Sequence, residues 1–367
     1  MDEAQIVIVG GGVVGCAIAA ELAKNYEDVF LLEQMPHLGM GASSRNSGVI
    51  HSGIYYPPGS LKARHCVEGN RLTCEFCAAH NIPHRNTGKL VVAADAEEES
   101  VLEELLARGR ANGTPGLELL TAAGVKKLEP HITARSALRA PSTGIVDSDA
   151  LVKAFARLGV ERGASVLTEA RLEAAEPGPA SIHIRSTVGE IETRVLVNSA
   201  GLFADEVAAL FGYHEHRIYP VRGEYWEVVK PKAQLINGLV YPVPDPTGLS
   251  LGLHFTKTLW GTLLAGPNAR RVTDKNDYER DREPLDSFLP RARKLLPQLT
   301  PDDLRPAHSG IRAKLTPPGE HGHGDFIITR DPAHPRVIHL IGIDSPGLTA
   351  AASLARHVAA LVAETVG

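Results

Sequence analysis

"IVIVGGGVVGCAIAA" occupies residues 6–20, and its reading decides the fold. Gln5 to Val9 reads as a short buried strand, apolar and β-branched. Gly10-Gly11-Gly12-Val13-Val14-Gly15 fits G-x-G-x-x-G. In that spacing Gly10 makes the tight turn, Gly12 lets the backbone approach a pyrophosphate, and Gly15 allows close packing of helix on strand. Gly12 to Lys24 reads as a helix whose first N–H groups and dipole favour an anion. Asp28 to Leu32 reads as a second strand. Glu33, at its end, can accept from ribose hydroxyls and would repel a 2′-phosphate, which disfavours NADP. The unit is a βαβ dinucleotide-binding start, and FAD and NAD both fit it.

The chain has 367 residues, enough for two domains or one large one. Its formal charge of −5 gives no electrostatic footprint for nucleic acid. The acidic start Met1-Asp2-Glu3-Ala4-Gln5 lacks the basic region of a secretory signal. Apolar runs break well before the length of a membrane span, so the expectation is a cytoplasmic protein for which peripheral membrane contact stays open. Cys16, Cys66, Cys74 and Cys77 imply no disulfide framework. Cys74 and Cys77 have metal-ligand spacing without a second pair, and they sit in a helical pattern. His214, His216, His321 and His323 read as loop histidines, so no metal is expected.

Residues 60–80 and 96–112 look helical, with the strand "GKLVVAAD" between them. "DALVKAFARLGVERGA" is a helix, followed by the strands "SVLT", "SIHIRST" and "TRVLVNSAG". Residues 217–270 alternate and read as an antiparallel sheet. "PLDSFLPRARKLLPQL" is helical in places. "HSGIRAKLTP", "DFIITRD" and "RVIHLIGI" look like strands, and "SPGLTAAASLARHVAALVAE" is a long helix. The fold class is therefore α/β: a Rossmann-like FAD-binding domain with an inserted β-rich substrate domain of antiparallel sheet plus helices. The nucleotide-binding pieces are 1–80, 144–212 and 305–367; the substrate domain is 81–143 and 213–304.

Three separated segments favour an elongated FAD over NAD. "SSRNSG" after the second strand offers small donors. "VLVNSAG" runs a strand into a small-residue turn. Gly342 and "SPGLT" place backbone N–H groups at the start of the long helix, where they could stabilise negative charge on a reduced flavin.

These motifs, with "SSRNSGVIHSGIYYPPGSLKARHCVEGN", "STGIVDSDAL", "YPVRGEYWEV", "LVYPVPDP", "LGLHFT" and "GIDSPGLTAAASLA", resemble the D-amino-acid-oxidase-like flavoproteins. Within them the chain is similar to the L-2-hydroxyglutarate dehydrogenase branch, over essentially its whole length. The resemblance implies FAD contacts from Gly10, Gly12, Val14, Gly15, Glu33 and Gln34. It implies further contacts from Ser43, Ser44, Arg45, Asn46, Ser47 and Gly48, and from Arg171, Ala200, Gly201 and Gly310. Gly342, Ser345, Pro346, Gly347, Leu348 and Thr349 complete the set. Attachment of FAD through cysteine is disfavoured, since no cysteine lies in the C-terminal half.

The chemistry implied is hydride removal from the carbinol carbon of an α-hydroxy acid, a small anionic substrate. A base must take the hydroxyl proton, and histidine suits it. His51 lies on the segment that the family folds against the flavin and is named first. Arg312 in "SGIRAKL" is the natural bidentate partner of a carboxylate. Tyr241, His254, Tyr56 and Arg222 are further substrate-binding candidates, with Tyr55 beside them. The favoured reading is an FAD-dependent L-2-hydroxy-acid dehydrogenase acting on L-2-hydroxyglutarate. The alternatives are a glycerol-3-phosphate dehydrogenase or oxidase, an amino-acid or amine oxidase, and a flavin-binding subunit without chemistry. A quinone, an electron carrier or oxygen would accept the electrons.

Overall fold

The computed structural model describes residues 2–244, 250–322 and 324–366. His323 and the end of "LVYPVPDP" lie outside the described residues.

The first strand, Asp2–Val9, pairs in parallel with Val29–Leu32 on one side and with Gly189–Asn198 on the other. Its side chains alternate between two cores. Ile6 and Ile8 pack with the first helix, whereas Val7 and Val9 pack with Leu32, Leu172 and Ile184. Its second half, Ile6 to Val9, is covered on both faces and apolar throughout, whereas Glu3 and Gln5 in the first half point outward around buried Ala4. The first helix, Val13–Leu22, is buried along nearly its whole length, lying against Ser148–Glu161 and Gly347–Val366.

Ser165–Leu167 adds to Val29–Leu32, again in parallel. Gly189–Asn198 pairs antiparallel with Ile182–Ser186 through its first half and parallel with Val337–Ile341 through its second. Leu172–Pro177 and Ile327–Arg330 complete an eight-stranded sheet. This is the Rossmann-like unit expected from the glycine spacing.

A nine-stranded sheet forms the second layer system. Tyr219–Val228, Leu263–Gly266, His254–Lys257 and Leu239–Pro242 follow one another antiparallel, as their alternation predicts. Two features differ from expectation. Leu239–Pro242 pairs in parallel with Lys89–Ala93. These strands are remote in sequence, so no hairpin turn fixes their direction, and Lys89–Ala93 is buried on both faces. Leu304–Lys314, expected with the nucleotide-binding pieces, instead pairs with Tyr219–Val228 in the second sheet. Its Ile311 and Ala313 fill a core with Leu202 and Ile218, which brings the two sheets together.

A small sheet of Val49–Ile50, Gly144–Val146 and His84–Arg85 ties the segment before His51 to the scaffold. Among the described residues no helix is long and apolar enough to cross a membrane.

Candidate active site

One elongated cleft opens at the carboxyl ends of the parallel strands, where open α/β sheets bind ligands. Gly10 follows Val9, Glu33 follows Leu32, Ser199 to Gly201 follow Asn198, and Ile343 to Ser345 follow the strand ending at Ile341; all of these line the cleft.

The glycine turn is sterically fixed. Gly10 has φ of +105°, and a Cβ on Gly15 would stand 1.9 Å from the Gly10 carbonyl oxygen. Glu33 accepts from the backbone N–H groups of Gly11 at 2.7 Å and Met35 at 2.8 Å. It therefore orders the turn as well as facing the cleft, and burial lifts its carboxyl above the ordinary range. Ser43 Oγ accepts from Val13 N at 2.9 Å, while Gly12 offers the helix no side-chain cap. Neither the first helix nor Gly347–Val366 carries an acid in its first turn. Both dipole ends that open on the cleft thus keep their positive character for an anion. A Cβ on Gly201, which lines the cleft, would meet no protein atom within 4 Å. A groove running from the Glu33 carboxylate past a bare helix N-terminus suits an extended dinucleotide.

Gly10, Gly12, Val14, Glu33, Gln34, Ser43, Arg45, Asn46, Ser47, Ala200, Gly201, Gly310, Ser345, Pro346, Gly347 and Leu348 all line this cleft. Gly15, Gly48, Gly342 and Thr349 stand behind it. Gly48, with φ of +66°, shapes the turn in which Asn46 Oδ1 accepts from its N–H at 2.7 Å. Ser44 is exposed and bonds only the Gly41 carbonyl. Arg171 is a correction: its side chain is exposed just before the strand Leu172–Pro177, paired with Glu173 at 3.2 Å, and does not line the cleft. The backbone before it stays close, since Ala170 N–H donates to the Glu33 carbonyl at 2.8 Å.

His51 is held by its own backbone. Its N–H donates to Thr349 Oγ1 at 2.9 Å, and its carbonyl accepts from Asn70 Nδ2 at 2.9 Å. Its Nε2 hydrogen-bonds with Ser345 Oγ at 3.2 Å. The polar tract is therefore not a solvated loop; it is pinned to two helices. Burial, then the charges of Lys89 and His254, pull its imidazole down to about 3, so it is neutral at ordinary pH. The neutral ring has a free nitrogen that can accept a proton, and burial makes it a weaker base than a solvated imidazole.

Arg312 is half-buried and lines the same cleft. Its guanidinium lies over Gly223, where a Cβ would come within 2.8 Å, and donates to the Asn268 carbonyl at 3.3 Å. Tyr241 and His254 also line the cleft, and their rings stack at 3.6 Å. His254 Nδ1 bonds the Gly252 carbonyl at 2.8 Å, and burial drops its imidazole to about 3. Tyr56 is buried at the cleft wall, hydrogen-bonded to Ser345. Tyr55 packs instead in the core behind it.

Arg222 is the second correction. It is 1% exposed, and its guanidinium is taken by Glu224 at 2.9 Å and Asp277 at 2.8 Å. On this strand Gly223 and Tyr225 face the cleft, so Arg222 points to the opposite side. It braces the loop that carries Asn276 and Tyr278 to the cleft.

Sequence reasoning missed several lining residues. Tyr225, in the motif "YPVRGEYWEV", lines the cleft beside Gly223. Lys62 and Lys314 both pair with Asp344, at 2.6 and 3.0 Å, and all three are buried at the cleft wall. Burial works to raise the Asp344 carboxyl, but Lys314 and Lys62 hold it below its usual range. Lys314 had a readable signal, since it stands two residues from Arg312 on one strand face. Among the described residues no group of three or more His, Cys, Asp or Glu could hold a metal.

Residues 5–361 match the family described as "FAD dependent oxidoreductase". A protein of Indibacter alkaliphilus named L-2-hydroxyglutarate dehydrogenase is 32% identical over 387 residues, covering 95% of this chain and 96% of that one. The mitochondrial L-2-hydroxyglutarate dehydrogenase of Caenorhabditis elegans is 41% identical over 286 residues, covering 76% of this chain and 66% of that one. Among solved structures, the dithionite-reduced L-α-glycerophosphate oxidase of Mycoplasma pneumoniae with FAD bound superposes with a TM-score of 0.91 at 26% identity, covering 99% and 95% of the two chains.

Proposed function

Because the chain belongs to the FAD-dependent oxidoreductase family, we propose that it oxidises an L-2-hydroxy acid, L-2-hydroxyglutarate being the favoured substrate and 2-oxoglutarate the product. The observation that carries the reading is that His51, a neutral imidazole, and Arg312 line one cleft with the glycine turn.

Arg312 holds the carboxylate next to the reacting carbon, with the fork geometry that fixes both oxygens. His51 Nε2 takes the hydroxyl proton as the carbonyl forms, in place of its bond to Ser345. When bound, FAD supplies the two-electron acceptor for the hydride leaving the carbinol carbon. Lys62, Lys314 and the bare end of Gly347–Val366 add positive potential at the Ser345 side of the cleft. The Tyr241 hydroxyl donates to the second carboxylate of the substrate, while His254, whose one ring N–H is spent on the Gly252 carbonyl, stacks on the Tyr241 ring and holds it in place. A quinone, an electron carrier or oxygen takes the electrons onward.

A second reading, oxidation of glycerol 3-phosphate, is favoured by the likeness to the Mycoplasma pneumoniae enzyme. Anaerobic stopped-flow bleaching of the flavin separates the two. The panel is L-2-hydroxyglutarate, its D-isomer, L-lactate, glycerol 3-phosphate and several amino acids. L-2-hydroxyglutarate should exceed L-lactate by roughly 10–100-fold, the worth of one charge-assisted contact, and the D-isomer should fail. Glycerol 3-phosphate or an amino acid winning by more than about tenfold overturns the substrate assignment.

A further inference from the structure

Lys89 opens the strand Lys89–Ala93 and is 1% exposed. It shares a strand face with Val91 and Ala93, which pack into an apolar cluster with Tyr55, Cys66 and Tyr241. Its Nζ stands 4.2 Å from the centre of the Tyr55 ring and 4.8 Å from that of Tyr241. Among the described residues it has no hydrogen-bond partner. The titratable groups that face it are Tyr55 and His51 from the pinned segment, Cys66 from the helix Leu61–Ala79, and Tyr241 and His254 from the two neighbouring strands. None is a carboxylate. The Tyr55 hydroxyl and His51 Nδ1 are likewise buried without partners.

A buried amine with no anion in reach among the described residues is half of an ion pair. Burial disfavours its charged form and draws Lys89 down to about 7, with Cys66 opposing. Proteins tolerate such a group where function requires it.

We propose that Lys89 is the charge-specificity residue of this site: a buried amine without an anionic partner in the substrate-free enzyme, it takes a proton from solvent when a dianionic substrate enters the cleft. The arriving negative charge then meets a new positive one. Lys89 does not line the cleft, whereas Tyr241, whose ring it caps, and His254, stacked on Tyr241, do. It acts across these rings as a positioning residue, in an interior that screens charge far less than water does. The inference rests on the reading that the substrate carries two negative charges.

The test is calorimetric titration of the oxidised holoenzyme at about pH 8, in two buffers of different ionisation enthalpy, with linkage giving the protons taken up. The probes are 2-oxoglutarate, pyruvate and glycerol 3-phosphate. Wild type should take up most of a proton with 2-oxoglutarate and none with pyruvate. Its affinity for 2-oxoglutarate should fall as pH rises above about 7, toward tenfold per pH unit. In Lys89→Met the uptake should vanish and the preference for 2-oxoglutarate over pyruvate should shrink at least roughly tenfold. That variant should melt no lower than wild type, because an apolar chain replaces an unpaired buried amine. If glycerol 3-phosphate alone elicits the uptake, the substrate reading falls and the role of Lys89 stands. If 2-oxoglutarate binds without uptake, or Lys89→Met keeps it, the role of Lys89 is overturned and the substrate reading survives.

Discussion

Ser345 Oγ stands 3.2 Å from His51 Nε2, joining two segments 294 residues apart. Thr349, one helical turn on, receives the His51 backbone N–H. An imidazole carried on an irregular segment is thus as firmly placed as one on a strand, because Ser345 and Thr349, before and within the helix Gly347–Val366, hold it by ring and main chain.

Replacing His51 by Ala should slow anaerobic flavin reduction by roughly 10²–10⁴ while the protein stays yellow. Substrate affinity should change less, since Arg312 remains. Unaltered reduction kinetics in this variant would move the base to another residue, His254 being the next neutral imidazole at the cleft.

Arg312→Lys should lower kcat/KM by roughly tenfold or more, because an ammonium cannot reproduce the two parallel bonds of a guanidinium. The flat seat over Gly223 is shaped for a planar group. Steady-state kinetics with L-2-hydroxyglutarate check it, and equal values for the two enzymes would remove Arg312 from the site.

Two glycines of one motif should fail differently. Gly15→Ala places a methyl within 1.9 Å of the Gly10 carbonyl, so both thermal stability and FAD should be lost. At Gly12 an added Cβ meets only Ser43 Oγ, at 3.2 Å, on the protein side. Gly12→Val should fold, give a native circular-dichroism spectrum and bind no FAD. A yellow Gly12→Val protein would contradict the assigned pyrophosphate path.

Asp344→Asn leaves Lys62 and Lys314 in place without the carboxylate they share. Removing one partner of a buried ion pair costs about 3–5 kcal/mol. Urea unfolding of the holoenzyme should register most of that loss. A change below about 1 kcal/mol would mean the lysines are balanced by another group.

His51 and His254 are both held at about 3 against an ordinary 6.5. Between those values the unfolded chain binds protons that the folded one does not. Stability should therefore be full above about pH 6.5 and fall as pH drops toward 3. Urea midpoints at pH 7.5 and pH 5 measure the drop, and His51→Gln combined with His254→Gln should shrink it.

The βαβ start was legible because each glycine has a steric reason at its position, and Gly10 and Gly15 satisfy those reasons against each other. His51 and Arg312 were legible through motif and residue chemistry. Period-two alternation along these strands turns Arg222 away from the cleft beside Gly223 and places Lys314 on the face of Arg312, once the face that meets the cleft is known. Lys62 and Lys89 had no such signal. A single lysine in a helix or strand reads as solvated, and only tertiary packing brings Asp344 to one and two tyrosine rings to the other. The parallel pairing of Leu239–Pro242 with Lys89–Ala93 was illegible for a related reason: no local turn encodes it.

The pinning of His51 by Ser345 and Thr349 also sets a timetable for biosynthesis. Val337–Ile341 pairs with Gly189–Asn198, and the segment from Ile343 to Ser345 that follows it lines the cleft. The glycine turn emerges from the ribosome early, but the wall that completes its groove is translated some 300 residues later. A nascent chain therefore carries an open half-site through most of its synthesis. Contacts of such long sequence separation form slowly, so cofactor capture is a late event, governed by closure of the whole chain rather than by the motif that announces it.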